Sequence, residues 1–269
     1  MFEKNYKLLV QEGHLTMSSL LGGLNSIRNA NIDDAHRGLF YSGLFELATG
    51  FERLMKIVLL LDHKINNHFK NPTNNQLKDY GHNILELYSS CHNLAKSYGL
   101  ESKMEPNEVQ NEMLAVLSKF AKGSRYYNLD ELTSNNKNED PINLWLSVIQ
   151  YHIWGLRSDV REKIQMEALS INNVDQWQQN INGEWITSCE FYYLLKATEK
   201  ASYHVIWSII SLLRPFYSLL REQVYTLHEM YSDSTSGDKE EIPYLYEFFV
   251  FFLKSKHSVL RKKQWALGA

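Results

Sequence analysis

This sequence predicts an all-α fold, and three observations carry that prediction. Apolar residues recur at steps of three and four over most of the chain. Strand signals are scarce, and proline, glycine and Asp-Pro punctuate the gaps between the periodic segments. The expected architecture is a bundle of about seven or eight helices in a single domain, 1–269. Two lobes would share one core and meet at 131–140.

Taken in order, residues 14–29 read as a weak helix, because Gly22 and Gly23 lower its propensity. A longer one is expected over 33–66. Asp33 and Asp34 complement its dipole, and the stretch 54–61 is apolar nearly all round, as in a buried helix. Residues 77–98 form the clearest amphipathic stripe, with Gly99 placed to end it. Pro106 opens the next helix and Gly123 closes it. Asp140-Pro141 then reads as an N-cap followed by proline at the first helical position, starting a helix through Trp145 and Trp154. Asn182-Gly183 could centre a small hairpin over 177–187. A long helical stretch covers 188–231, where Pro215 is expected to kink or break it. A last helix covers 242–263. Six consecutive polar residues make 134–139 the expected most mobile internal loop, with a second polar break at 232–241.

Composition narrows the function classes. With 44% apolar and 22% charged residues the chain is globular and not disordered. Aromatics at 13% need a large core or an aromatic groove, and the core is the ordinary home. A net charge of −3 gives no global basic field for nucleic acid, although a local basic surface remains open. Cys91 and Cys189 show neither metal-ligand spacing nor a disulfide framework, which fits a reducing compartment. The apolar runs at 57–61 and 248–253 are far too short to span a membrane, and the first residues lack a secretory apolar region. A cytoplasmic protein with no membrane partner is expected. Glu-x-x-His, His-Asp, His-Glu-x-x-His, Walker and dinucleotide motifs are all missing, so no metal or other cofactor is expected.

Several constellations have chemistry to offer, each beside an ordinary alternative. Glu52 and Lys56 stand at i, i+4 in the favourable order, which a surface ion pair explains as well as a polar pocket does. His82 faces away from the stripe of 77–98 if that helix is uninterrupted, and is then a solvated histidine. If the helix instead starts at Gly81, His82 can meet a neighbouring helix or a ligand. Arg125 beside Tyr126 and Tyr127 suits a phosphate or a stacked base, and equally a helix C-cap. The cations of 254–263, with Trp265 after them, match a helix C-terminus or an acidic partner. Arg221 and His228 stand at i, i+7, so both face the same way, roughly 10.5 Å apart along the axis. The imidazole could transfer a proton while the guanidinium steadies charge on a phosphodiester.

The Arg221–His228 spacing resembles the Arg-x(4–6)-His motif of the helical HEPN superfamily (higher eukaryote and prokaryote nucleotide-binding). The Gly50…Glu52-Arg53…Lys56 run, followed by Tyr80-Gly81-His82-x-Ile84-x-x-Leu87, also looks like a pattern of uncharacterised bacterial members. The resemblance covers 33–130 and 221–228. Glu222 follows the arginine where the family usually has Asn, Asp or His, and a further helical segment follows the motif. The resemblance implies RNA binding, with metal-free cleavage by Arg221 and His228, a homodimer, and a stress or defence role. It also implies a shared polar site of Glu52, Lys56, His82, Arg125 and Tyr126. The competing expectation is a non-catalytic helical module that binds a partner protein or small ligand in an aromatic groove around Trp145, Trp154 and Trp207.

Overall fold

The computed structural model describes residues 4–73, 75–76, 81–134, 139–180, 184–233 and 241–266. Helix accounts for 78% of it, so the chain is all-α. The α-helices are α1 (Lys4–Asn29), α2 (Gly38–Asn66), α3 (Ile84–Ala95), α4 (Glu108–Lys122), α5 (Tyr127–Leu132), α6 (Pro141–Trp154), α7 (Ser158–Leu169), α8 (Ser188–Asp233) and α9 (Lys256–Arg261). A two-stranded antiparallel hairpin, β1 (Asp175–Gln179) with β2 (Trp185–Thr187), precedes α8. Asn182-Gly183, the expected turn, lies outside the described residues, as does most of the expected loop at 134–139.

The first two helices form the tightest pair. Leu20, Gly23 and Ile27 climb one side of α1, and Gly50, Leu47 and Gly43 descend the facing side of α2. A Cβ on Gly23, Gly43 or Gly50 would fall within 2.6–2.7 Å of its opposite side chain. Glycine costs a helix about 1 kcal/mol in propensity, which is why the sequence reads α1 as weak and short. Here the missing Cβ lets the two backbones close up, and α1 runs from Lys4 to Asn29, well before the expected start at 14.

Helix α8 is the spine. Its 46 residues span roughly 69 Å at 1.5 Å per residue, and it touches α1, α2, α4, α6, α7 and the C-terminal segment. Ala197, Ala201, Val205, Ile209, Leu212, Phe216, Leu220 and Leu227 bury one stripe of it. The helix does not break at Pro215. Pro215 withholds a donor from the preceding turn, but Leu212, Leu213, Phe216 and Leu219 are all fully packed around it. One buried cluster runs from Leu9 to Trp265 and joins residues on both sides of 131–140.

Two other elements differ from expectation. The expected helix over 77–98 is not continuous: Gly81 takes a left-handed φ of +52°, and the Asn83 side chain caps a helix that begins at Ile84. Residues 77–80 lie outside the described set. The C-terminal stretch is not one α-helix either. Leu245–Leu253 is a 3₁₀ segment with a break at Phe249, followed by the short α9. The aromatic spacing explains this. Tyr246, Phe249 and Phe252 recur at steps of three, which a three-residue turn aligns on one face, and the Phe249 and Phe252 rings stack at 5.3 Å.

A polar tie crosses the core. Gln110 on α4 donates to the Ser208 carbonyl at 3.1 Å and to Ser211 Oγ at 2.9 Å, while Ser208 Oγ and His152 Nε2 share a hydrogen bond of 3.2 Å.

Candidate functional site

One face of α2 carries Phe45, Thr49, Glu52, Lys56 and Leu60 at helical spacing, and these residues floor a cavity of about 500 Å³. Leu9 and Glu12 of α1 form one wall, His82 a second and Arg125 a third. The segment 81–83 reaches the cavity because Gly81 turns the chain in the left-handed region, where an L side chain is strained. Lys56 fixes that turn by donating from Nζ to the Gly81 carbonyl at 3.0 Å. Arg125 arrives from the other direction, in the single 3₁₀ turn that follows the Gly123 cap of α4.

Glu52 is the hub. Its Oε1 accepts from Lys56 Nζ at 2.8 Å, and its Oε2 pairs with His82 Nδ1 at 2.9 Å. Burial would raise the Glu52 carboxyl, but the hydrogen bonds from Lys56 and His82 outweigh it and hold the group below the usual carboxylate value. The carboxylate therefore stays charged and orients the imidazole. The His82 side chain is 58% exposed, so its Nε2 edge is open to a ligand.

The charges around the cavity divide unevenly. Arg53 is bound to Glu12 at 2.6 Å, and Lys56 to Glu52. Arg125 has no carboxylate partner among the described residues, and its guanidinium lies 5.1 Å from the Tyr126 ring centre. A neighbouring hollow of about 470 Å³ shares Phe45 and Arg125 with the first, and Tyr41, Phe120 and Tyr126 line it. Phe45 and Tyr126 are 53% and 52% exposed, so two open aromatic rings share this hollow with the Arg125 guanidinium. The Tyr41 hydroxyl in this hollow is buried with no hydrogen-bond partner among the described residues, and burial pushes its pKa up to about 12.

No family model, curated protein or solved structure matches this chain.

Arg221 and His228 are arranged differently. Arg221 is exposed and pairs with the adjacent Glu222 at 3.2 Å. His228 Nε2 bonds the Ile242 carbonyl at 2.7 Å, and its ring meets Tyr244 edge-on at 4.8 Å. A ring nitrogen facing a carbonyl must be the donor, so His228 acts as a pin that fastens the chain after α8. The C-terminal segment that follows the motif is what occupies it.

Among the three tryptophans expected to line a groove, Trp145 is fully buried in the core. Trp207 is partly buried beneath Arg214, at 5.0 Å, and only Trp154 is widely exposed. Trp265 is buried, and its backbone N–H and carbonyl are both bonded to Asn25, so it anchors the basic C-terminal cluster. Among the described residues no group of three metal-ligating side chains occurs, and no helix is long and apolar enough to cross a membrane.

Sequence reasoning misses Phe45, Thr49 and Glu12. The first two are within its reach, since Phe45, Thr49, Glu52 and Lys56 share one helical stripe. Glu12 is not, because its pairing depends on how α1 lies across α2.

Proposed function

We propose that the chain binds RNA in the groove formed by these two hollows. One observation carries the reading: Arg125, without a carboxylate partner among the described residues, shares one hollow with exposed Phe45 and Tyr126 and the next with the Glu52–His82–Lys56 cluster. The hollow floored by α2 holds three permanent cations, Arg53, Lys56 and Arg125, against two carboxylates, Glu12 and Glu52, and Glu46 in the neighbouring hollow brings the groove to three of each. Charge in the groove is therefore balanced on a chain whose net charge is −3, and Arg125 is left without a carboxylate partner among the described residues while Arg53 and Lys56 are paired. A guanidinium suits a phosphate, and aromatic faces suit unpaired bases. Single-stranded RNA presents both at once. His82, oriented by Glu52 and open at Nε2, is better placed to exchange a proton with a bound phosphodiester than His228, whose Nε2 is engaged.

The test is fluorescence anisotropy with a labelled single-stranded RNA of mixed sequence. Arg125→Ala is expected to weaken binding about tenfold, and to lower the salt slope by about 0.7, the share of one phosphate contact on a single strand. Tyr126→Ala should weaken binding roughly fivefold or more through lost stacking, with little change in the salt slope. No binding by the native chain, or binding by both variants as tight as the native chain's, overturns the proposal. Incubation with RNA in a chelator then separates the two histidines. Cleavage lost in His82→Ala and kept in His228→Ala assigns the proton transfer to His82. The reverse result restores Arg221 and His228 as the pair.

A further inference from the structure

A second cleft, of about 900 Å³, opens where the end of α6, the outer face of α7, strand β2 and the first turns of α8 meet. Trp154 and Trp185 line it and are 70% and 64% exposed, while Tyr193 adds a third ring. Two indoles left this open are costly in water unless something covers them. Nothing in the RNA groove involves these residues.

The charge of the cleft indicates what would cover them. Glu162, Glu184 and Glu190 line it against one cation, Arg161. Glu190 accepts from the Thr187 backbone N–H at 2.8 Å and from its hydroxyl at 2.9 Å, and these bonds hold its carboxyl below the ordinary value. Glu184 accepts from Asn180 Nδ2 at 2.7 Å. Both carboxylates are therefore held in place by these hydrogen bonds, and Glu162 stands exposed. Arg161 places its guanidinium carbon 5.9 Å from the Trp154 ring centre, so a cation of the protein itself already lies against one of the rings. Its Nε is buried without a hydrogen-bond partner among the described residues.

We propose that this cleft is a binding site for an organic cation, an alkylated ammonium group held against Trp154 and Trp185 and balanced by Glu162, Glu184 and Glu190. The quadrupole of an indole face attracts a cation, and more strongly once the pair is out of water. Alkyl groups on the nitrogen cover the rings, and the surrounding carboxylates offset the charge. An anion would meet a net negative wall. A neutral aromatic molecule would leave the carboxylates without a counter-charge. Arg161 competes for the same ring, which gives the site a distinctive sign: removing this cation strengthens binding.

Benzyltrimethylammonium is the probe, titrated into the full chain while the indole N–H signals of its 6 tryptophans are followed by NMR. Two of those signals, from Trp154 and Trp185, should shift saturably. Trp154→Ala and Trp185→Ala should each weaken binding roughly five- to thirtyfold. Their exposure makes a folding defect a poor alternative explanation, and Trp185→Phe, which keeps a ring, should lose less. Glu162→Gln should weaken binding and Arg161→Gln should tighten it, each about threefold. Benzenesulfonate, of similar size and opposite charge, should give no saturable shift. The proposal is overturned if the cation does not saturate or if either alanine variant binds as the native chain does. Weaker binding after Arg161→Gln, or equal binding of the sulfonate, also overturns it.

Discussion

Gly23→Val is expected to destabilise the protein by about 2–4 kcal/mol, the largest loss expected from any single small-residue change in α1. An added Cβ would lie 2.7 Å from Leu47 Cγ and 2.9 Å from the Leu47 backbone nitrogen. The side-chain contact could be relieved by a rotamer change. The backbone contact cannot, so α1 and α2 must move apart along the whole Leu20–Gly50, Gly23–Leu47, Ile27–Gly43 seam. Against this, leaving glycine gains roughly 0.5–1 kcal/mol of helix propensity, less for a β-branched residue than for alanine. The steric loss wins. Gly38→Ala is the matched control. It lies at the start of α2 with nothing within 4 Å of the added Cβ, so only the propensity gain remains and stability should rise by about 0.5 kcal/mol. Thermal unfolding separates the two, since each kcal/mol shifts Tm by roughly 2–4 °C in chains near this size. A Gly23→Val protein that melts with the native chain would mean that the helix pair is not packed as described.

The second large effect is acid sensitivity through His152. Burial lowers its pKa from 6.5 to about 4, and His204 nearby adds to the effect. The folded imidazole is therefore neutral where the unfolded one takes a proton. The depressed pKa makes the contribution fully present above about pH 6.5. Between there and about pH 4 the unfolded state binds more protons, and stability falls as pH falls. The loss approaches about 3 kcal/mol at 1.36 kcal/mol per pKa unit. His152→Gln keeps a polar end for Ser208 and removes the titration. Urea unfolding at several pH values from 7 to 4 should show the variant losing less stability than the native chain across that window. His204, lowered by burial and by Lys256, titrates in the same direction and is unchanged in both proteins. Parallel pH profiles would show that His152 is not buried as a neutral group.

The candidate groove is partly legible in the amino-acid sequence. Glu52 and Lys56 share a face by helical spacing alone. Arg125 with Tyr126 and Tyr127 reads as a base- or phosphate-binding pattern in the bare chain. Their convergence is not legible, since residues 52, 82 and 125 lie on three separate segments and only packing brings them together. His82 shows the difficulty most clearly. On an unbroken helix it would face solvent, and the left-handed turn at Gly81 instead carries it to Glu52. Arg221 and His228 show the converse. Their spacing on one helix face is a local property and holds, yet the returning chain at Ile242 takes up the imidazole. Helical periodicity carries no information about what will cover a face.

The same division runs through the fold. Three-four apolar spacing, the Asp140-Pro141 start and the Gly123 stop are local signals, and each reflects interactions within a turn or two of helix. They determined the all-α class, α2, α4, α6 and the extent of α8. Tertiary contact decided the rest. Gly22 and Gly23 weaken an isolated helix, and they lie inside a long one because α2 approaches where a side chain would stand. Pro215 disfavours continuation, and the packing of Phe216 and its neighbours carries the helix through. The aromatic run after 244 satisfies a period of three as readily as 3.6, and burial against α8 selects the tighter turn. In each case the local preference is worth about 1–3 kcal/mol, and the burial of several large side chains at about 1.5–3 kcal/mol each exceeds it.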